Sequence, residues 1–582
     1  MRVHRIFLLC AVLLGIASVL AYALASATAR RTVALPPTIS GVVTNAAGPI
    51  ADAIVQVQGS PHQTTTAANG TFTVSGISAT TPITLTAWSP GNYIGWTMVD
   101  PNSPNWNPAQ PITIRLEPHY TGDNFEYTGF SQDGVTGSQS CGLCHREYQE
   151  WKLDAHSQAS QDVHFVTMYL GTDVHGRLGQ PIQYSLDGKQ LPPDPALPYY
   201  GPGFRLDNPD RAGSCASCHA PFAARIPNQN NCSFMGCHSS ATVQNSNGLL
   251  QPGVFATSST QHAQEGVNCE FCHKIGDVLV NAQTQLPGAD RPGILSLRMY
   301  RPPDGQNLFF GTLVDVTRKD TYLPLQSESK FCAACHYGVL GGVVGNDTVT
   351  GGTVVYSAYS EWLASPYSNP KTGKTCQDCH MPKANANYTA FPDHGGIVRN
   401  DFNFHSHQML GITDESFLAS AVTMTSHATH DQNVLAVHVS IVNDKTGHKV
   451  PTDTPLRQMI LIVEASDANG RALTLQQGPV NPAWAGNLAQ RPGKTFAYIL
   501  QDKMTGEYPT SAFWRQTNVV EDTRLAPLAT DTTNYAFELP AGQTAKVQVR
   551  LLYRRALQTL SEYKGWQDPD IVMAQETLMV SP

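Results

Sequence analysis

After Cys10, every cysteine of this chain sits in a pair, and a histidine follows the second cysteine of each pair. Five pairs have two residues between the cysteines: Cys141 and Cys144 with His145, Cys215 and Cys218 with His219, Cys269 and Cys272 with His273, Cys332 and Cys335 with His336, and Cys376 and Cys379 with His380. The sixth, Cys232 and Cys237 with His238, has four.

The spacing has a chemical reading. Two thiols add across the two vinyl groups of one haem, and the imidazole that follows becomes the proximal iron ligand. A longer gap still works because the extra residues loop out. Disulfides would suit an exported chain, but they need no histidine after the second cysteine. Structural zinc takes four ligands from two regularly spaced pairs, and the gaps between these pairs are irregular. With 20 histidines in 582 residues, six successive hits are not accidental. The expected cofactors are six covalent haem c groups.

The N-terminus places the chain in a compartment. Arg2 and Arg5 precede an apolar run from Ile6 to Ala25, and small residues follow. Residues 1–29 therefore read as a secretory signal. The run approaches the roughly 20 residues that span a bilayer, so an N-terminal membrane anchor stays open. Leu9 before Cys10 does not suit lipidation. The mature chain is expected to be exported: periplasmic, cell-surface or extracellular. Net charge is −8 and no Lys/Arg block stands out, which argues against a nucleic-acid partner.

Three regions follow. Residues 38–118 read as a small β-sandwich, with strands at Ile39–Val43, Ile54–Val57, Thr71–Val74 after an Asn69-Gly70 turn, and from Ile83. Residues 120–415 hold all six motifs. Helical spacing shows between Glu147 and Tyr169, through Trp151, Ala155, Ala159 and Val163. Much of the remainder is rich in Gly and Pro, as expected where haems supply the core, so this domain reads as irregular with some helix. Residues 416–582 return to strands: Leu435, Val437, Val439 and Ile441 alternate, and Met459–Val463, Phe537 and Val547–Leu552 follow. A second β-sandwich is predicted, contributing a haem ligand.

Six irons need a sixth ligand each unless one stays open to substrate. Beyond the proximal histidines and His4, thirteen histidines remain. His156, on the helical stretch after the first motif, is the first choice. His262 closely precedes Cys269, His407 follows the last motif, and His448 lies in Thr446-Gly-His448-Lys-Val-Pro. Two further ligands come from His405, His427, His430, His394, His164 and His175, each of which could equally be a surface or loop histidine. His438 sits on the strand face opposite Leu435 and Val437 and ranks lower, and His62 and His119 belong to the N-terminal module. The surplus makes bis-histidine ligation the default over Met/His, hence low potentials.

Two resemblances emerge from these residues. The stretch Gly41-Val-Val, Ala53-Ile-Val-Gln-Val and Asn69-Gly-Thr-Phe resembles the carboxypeptidase-regulatory-like (prealbumin-like) module, which implies a spacer or adhesion role. Trp151 and His156 after the first motif, Glu265-Gly-Val-Asn-Cys269, Thr375-Cys-Gln-Asp-Cys-His-Met-Pro382, Gly447-His-Lys-Val-Pro-Thr452, Phe513-Trp514 and Glu521-Asp-Thr-Arg524 resemble the multihaem cytochromes related to hydroxylamine oxidoreductase. This second resemblance spans residues 130–582. It implies closely packed haems that conduct, and it supports His156, His262, His407 and His448 as ligands. The Cys232 motif departs from the usual pattern, so the haem order near it stays open. Multihaem nitrite reductases mark their open iron with lysine after the attachment cysteine, and all six positions here are histidine.

The sequence therefore reads as an electron carrier passing electrons to redox partner proteins or an outer acceptor, rather than as a catalyst. The alternative is an oxidoreductase acting on a small nitrogen or sulfur compound at an open haem. A homo-oligomer or filament of stacked subunits is a variant of the first reading.

Overall fold

The structure, a computed structural model, describes residues 34–124, 127, 129–209, 213–222, 265–345, 348–400, 402 and 404–581. The signal segment lies outside the described residues. So do Cys232, Cys237 and His238 of the four-residue-gap motif, and His262. The attachment expected at Cys232 and Cys237 therefore rests on the sequence alone. The chain divides into two compact units. One runs to His119 and takes in Leu313–Tyr322; the other comprises Tyr120–Thr312 and Leu323–Pro582.

In the first unit, alternation of buried and exposed side chains along Thr38–Asn45 gives a strand with one wet face. It pairs antiparallel with Thr71–Ser75 and parallel with Ile112–Arg115. A second sheet runs in the order Gln63–Thr65, Ile54–Val57, Ile83–Trp88, Gly95–Val99. Val43, Val55, Phe72, Val74, Leu85 and Ile114 form the core of this unit. Gly41 is required where the parallel strand joins: a Cβ there would stand 2.5 Å from the Ile112 carbonyl oxygen. The segment Leu313–Tyr322 is held by side chains, with Trp88 Nε1 donating to Thr321 Oγ1 at 2.9 Å and the Gly59 amide to Asp315 Oδ2 at 2.8 Å. A stretch from within the 120–415 span thus belongs to this unit, and no local sequence signal marks it.

The second unit ends in two sheets. One runs Thr423–Asp431, Val434–Val442, Thr530–Glu538, Leu475–Gln477; the other runs Thr517–Asp522, Gly493–Asp502, Gln458–Asp467, Ala545–Arg554, Ile571–Val580. Leu435, Val437, Val439 and Ile441 of the first share one core with Met459, Leu461, Val463, Val547, Val549 and Leu551 of the second. Met459–Val463 does not alternate because its other face is also covered, Ile460 and Ile462 packing with Leu488 and Leu552.

The rest of this unit is irregular with short helices. The stretch predicted as helical from Glu147 to Tyr169 is three pieces: Glu147–Lys152, Ala155–Gln158 and Val163–Leu170. Two aspartates cause the breaks. Asp154 and Asp162 adopt non-helical angles as N-caps, accepting from the amides of His156 and of His164 and Phe165. Cations of the C-terminal region, the buried Lys564 at the end of the helix Gln558–Lys564 and Arg515 in the turn before Thr517–Asp522, tie it to this part. Lys564 Nζ donates to the carbonyls of Thr167, Thr172 and Pro202, and Arg515 pairs with Asp207 and Asp502. Among the described residues, no helix is long and apolar enough to cross a membrane.

Candidate haem-binding site

Each described motif sits on a short helical turn. In such a turn the two cysteines and the histidine stand at i, i+3 and i+4, which share one helix face. The amides of His145, His219 and His336 donate to the carbonyls of Cys141, Cys215 and Cys332 at 2.8, 3.0 and 3.1 Å, closing that turn. Asn268 caps the turn Cys269–His273, and Thr375 with Asp378 forms a capping box on Cys376–His380.

The residues between the cysteines bring the motifs together. Ala216, Phe271, Ala333 and Ala334 lie in one apolar core with Ile294, Leu325 and Tyr359. Gly293, at φ +61°, lets the chain pass Cys218, where a Cβ would meet Sγ at 2.9 Å. Thiols of different motifs consequently meet: Cys141 with Cys269, Cys218 with Cys335, and Cys332 with Cys376. Cys272 also lies within electrostatic range of Cys335. The Cys332 and Cys335 motif is therefore the branch point of the described set.

The first and last motifs each keep a cysteine at the edge of this network. Cys144 is half-buried and is held through its backbone. Its amide donates to the Cys141 carbonyl at 3.1 Å, and its carbonyl accepts from the Phe391 amide at 2.8 Å. Cys379 is also half-buried, and burial raises its thiol. The ten described cysteines form no disulfide. Cys237 and Cys232 lie outside the described residues, so their motif is not placed relative to these.

Three motif histidines face a second histidine. Ring centroids are 6.2 Å apart for His336 and His156, 6.3 Å for His273 and His407, and 6.1 Å for His380 and His448. An iron–imidazole bond of about 2.0 Å, like that of zinc, and a ring radius of roughly 1.1 Å put two centroids about 6.2 Å apart across a shared metal. The three spacings match that span. Two imidazoles at a time suit an iron whose other four ligands come from a macrocycle.

The ring nitrogens are prepared for this. Nδ1 of His273, His380, His448 and His219 lies 2.6, 2.7, 2.9 and 3.0 Å from the carbonyls of Phe310, Leu410, Lys449 and Ala159. Nδ1 of His156 lies 2.7 Å from Asp154 Oδ1, and that of His336 lies 3.4 Å from Asp453 Oδ2. Donating from Nδ1 leaves the Nε2 lone pair for a metal. His407 Nδ1 is buried, and among the described residues no hydrogen-bond partner meets it. Burial pushes His380 and His407 down to about 4 and lowers His219 and His273, which keeps these rings neutral, as ligation requires. At His336 burial acts the same way, but Asp453 outweighs it and raises the ring to about 9.

Of the remaining candidates, His405 shows the same Nδ1 pattern toward the Met381 carbonyl at 2.5 Å. His164 is held by carboxylates on both sides, Asp162 and Asp568, against the Trp566 ring. His427 stacks on His438 across two strands, with centroids 4.6 Å apart, on the outer face of the C-terminal sheet. His430 Nε2 bonds to the Leu539 carbonyl, His175 is exposed in a turn, and His394 is in a short turn beside Phe391. His219 stacks face to face on Phe165 at 3.9 Å. His145 Nδ1 is 3.9 Å from Glu147, too far to be fixed by it.

Sequence reasoning missed the residues that hold the imidazoles. Glu150 Oε2 accepts from the amide of His407 at 2.8 Å and from the hydroxyl of Ser406 at 2.9 Å. Asp154 Oδ2 accepts from the Met409 amide at 2.9 Å. These two carboxylates clamp the His407 loop onto the helices after the first motif. Asp154 was legible as an N-cap two residues before His156; Glu150 and Asp453 carried no local signal.

Residues 38–104 match the carboxypeptidase regulatory-like domain. This agrees with the resemblance seen in that stretch of sequence, and it identifies the two-sheet module of the first unit. The regulatory-like domain itself specifies no activity. No curated protein matches the chain. Among solved structures, a penta-heme cytochrome c552 from Thermochromatium tepidum is similar at 20% identity and a TM-score of 0.49, over 76% of this chain and 98% of that one. The ASH/PapD-like domain of human CEP192 is similar at 7% identity and a TM-score of 0.12, over 28% of this chain and 86% of that one. At these TM-scores neither likeness bears on fold or function here.

Proposed function

We propose that this chain is an exported multihaem c-type cytochrome that passes electrons along closely spaced, mainly bis-histidine haems. The observation that carries the reading is the set of three motif histidines, each facing a second histidine across 6.1–6.3 Å. The six attachment motifs set the expected number of haems at six. The relationship to hydroxylamine-oxidoreductase-like cytochromes is part of the same proposal, as are the N-terminal signal or anchor and a redox partner protein or outer acceptor.

Bound haem iron supplies one-electron chemistry by cycling between its ferric and ferrous forms. The chain's own residues do the rest. Cysteines at i and i+3 fix attachment on one helix face, and the histidine at i+4 stands beside them. Carbonyl and carboxylate acceptors hold each imidazole in one tautomer and one plane. Ala216, Phe271, Ala333 and Ala334 exclude water between motifs and keep neighbouring attachment points in contact. A fixed, dry arrangement of this kind lowers reorganisation on electron transfer.

Counting haem by pyridine haemochrome against intact mass tests the reading. Six covalent haems per chain, reducible by a strong donor and reoxidised without turnover of nitrite or hydroxylamine, are expected. A ligand-binding haem that turns over such a compound would move the protein to the oxidoreductase reading.

A further inference from the structure

The three facing pairs differ in what stands behind the rings. For His380 and His448 both Nδ1 atoms face backbone carbonyls; that of His273 also does, and that of His407 meets no hydrogen-bond partner among the described residues. Behind His156 and His336 stand two carboxylates, Asp154 and Asp453, 3% and 8% exposed. Neither is free to swing. Asp154 also accepts from the amides of His156 and Met409, both at 2.9 Å. Asp453 accepts from the amides of Ser357 and Ala358 at 3.0 and 2.9 Å, in a backbone turn at φ +60°.

An imidazole whose Nδ1–H is shared with a carboxylate takes on imidazolate character, so its Nε2 donates more strongly to iron and favours the ferric state. Two buried anions close to one iron add to this in a low-dielectric interior. Arg457 offsets part of the Asp453 charge, while Asp154 has the shorter bond. We infer that the haem carried by Cys332 and Cys335 has the lowest potential of the three facing-pair sites, set by Asp154 and Asp453 as positioning residues. This rests on the haem reading above. The same motif is the branch point, its thiols meeting Cys218 and Cys376 and lying near Cys272. An uphill step therefore stands at the junction: electrons rest on the neighbouring sites and pass through this one.

The test is a redox titration of full-length holoprotein, followed by electron paramagnetic resonance. The planes of His156 and His336 are turned 62° apart, against 17° and 25° in the other pairs, so their iron has its own spectrum. That signal is expected to be the last of the three to vanish on reduction. Asp154→Asn should raise its ferrous-to-ferric ratio at fixed potential at least tenfold, a 59 mV shift for one electron. Asp453→Asn should shift it less, and Asp154→Glu should restore it; the other two signals should move by less than this one, because Asp154 reaches the His407 loop only through the Met409 amide and Asp453 acts on His380 only at longer range. A signal that vanishes first, or variants that move all signals equally or none, overturns the inference while leaving the haem reading intact. Should the variants fail to fold, the wild-type order of reduction decides alone. Absence of bound haem overturns both.

Discussion

Replacing Glu150 by alanine tests how the His407 loop is held. The carboxylate takes two loop donors on a single oxygen, the His407 amide and the Ser406 hydroxyl, and its other oxygen takes Arg146 at 2.5 Å. Burial alone would raise this carboxyl, but those donors hold it below its ordinary value. The clamp is therefore intact above the ordinary glutamate range and weakens as pH falls below it. Arg146 keeps Glu147 and the Tyr388 carbonyl when Glu150 is gone, so the loss falls on the loop. Two hydrogen bonds to a charged acceptor contribute about 1.5–3 kcal/mol each when buried. The side chain is 26% exposed, which reduces the sum to about 2–4 kcal/mol. Urea unfolding of the holoprotein should show that loss for Glu150→Ala, together with a fall in low-spin haem as His407 drifts from His273. Glu150→Gln should recover at least half, because both loop donors share one oxygen that the amide carbonyl replaces. A change under about 0.5 kcal/mol, the range of ordinary surface substitutions, with an unchanged low-spin content, would refute the clamp.

Three further outcomes follow from the same structure. Arg515→Met strands the buried carboxylates of Asp207 and Asp502 and should cost about 3–5 kcal/mol in denaturant unfolding; a loss near zero would contradict the bridging role of Arg515. His448→Ala removes the ring facing His380, so one haem should turn high-spin and regain its low-spin spectrum on adding imidazole; an unchanged spectrum would show that His448 is not a ligand. Asp522 would be raised by burial, yet Arg524 and Lys449 bring it down to about 2. Its folded value lies below its unfolded one, so its stabilisation is complete above about pH 4, is lost as pH falls through about 2, and amounts to about 2 kcal/mol at most. Asp522→Asn should flatten that part of the acid unfolding curve, and an identical curve would count against the pairing.

The legible parts of this protein are the local ones. Cys-x-x-Cys-His is readable because it lies within one helical turn, and the alternation at Leu435–Ile441 is readable because a sheet has period two. His156, His407 and His448 were nameable as candidates, but the motif histidine each one faces was not. His156 follows the first motif yet faces His336 of a distant one; the Val267 amide donates to the His156 carbonyl at 2.8 Å, and Val267 packs against the core of Phe271, Ala333 and Ala334. The continuous helix expected after Glu147 is broken because Asp154 and Asp162 are better N-caps than helix-interior residues. Leu313–Tyr322 joins the first unit through single side chains such as Trp88 and Asp315, which no pattern announces. The carboxylate of Asp453 reaches His336 across the fold for the same reason.

The most direct measurement is the electron paramagnetic resonance spectrum of the oxidised, full-length holoprotein. Near-parallel imidazole planes give a rhombic low-spin spectrum, and planes turned well away from parallel give one with a single large g value. At least two rhombic low-spin species are expected, from the His273 and His407 pair and the His380 and His448 pair, and one large-g species from His156 and His336. A spectrum of high-spin iron only, or of low-spin haem lacking the large-g species, would contradict it.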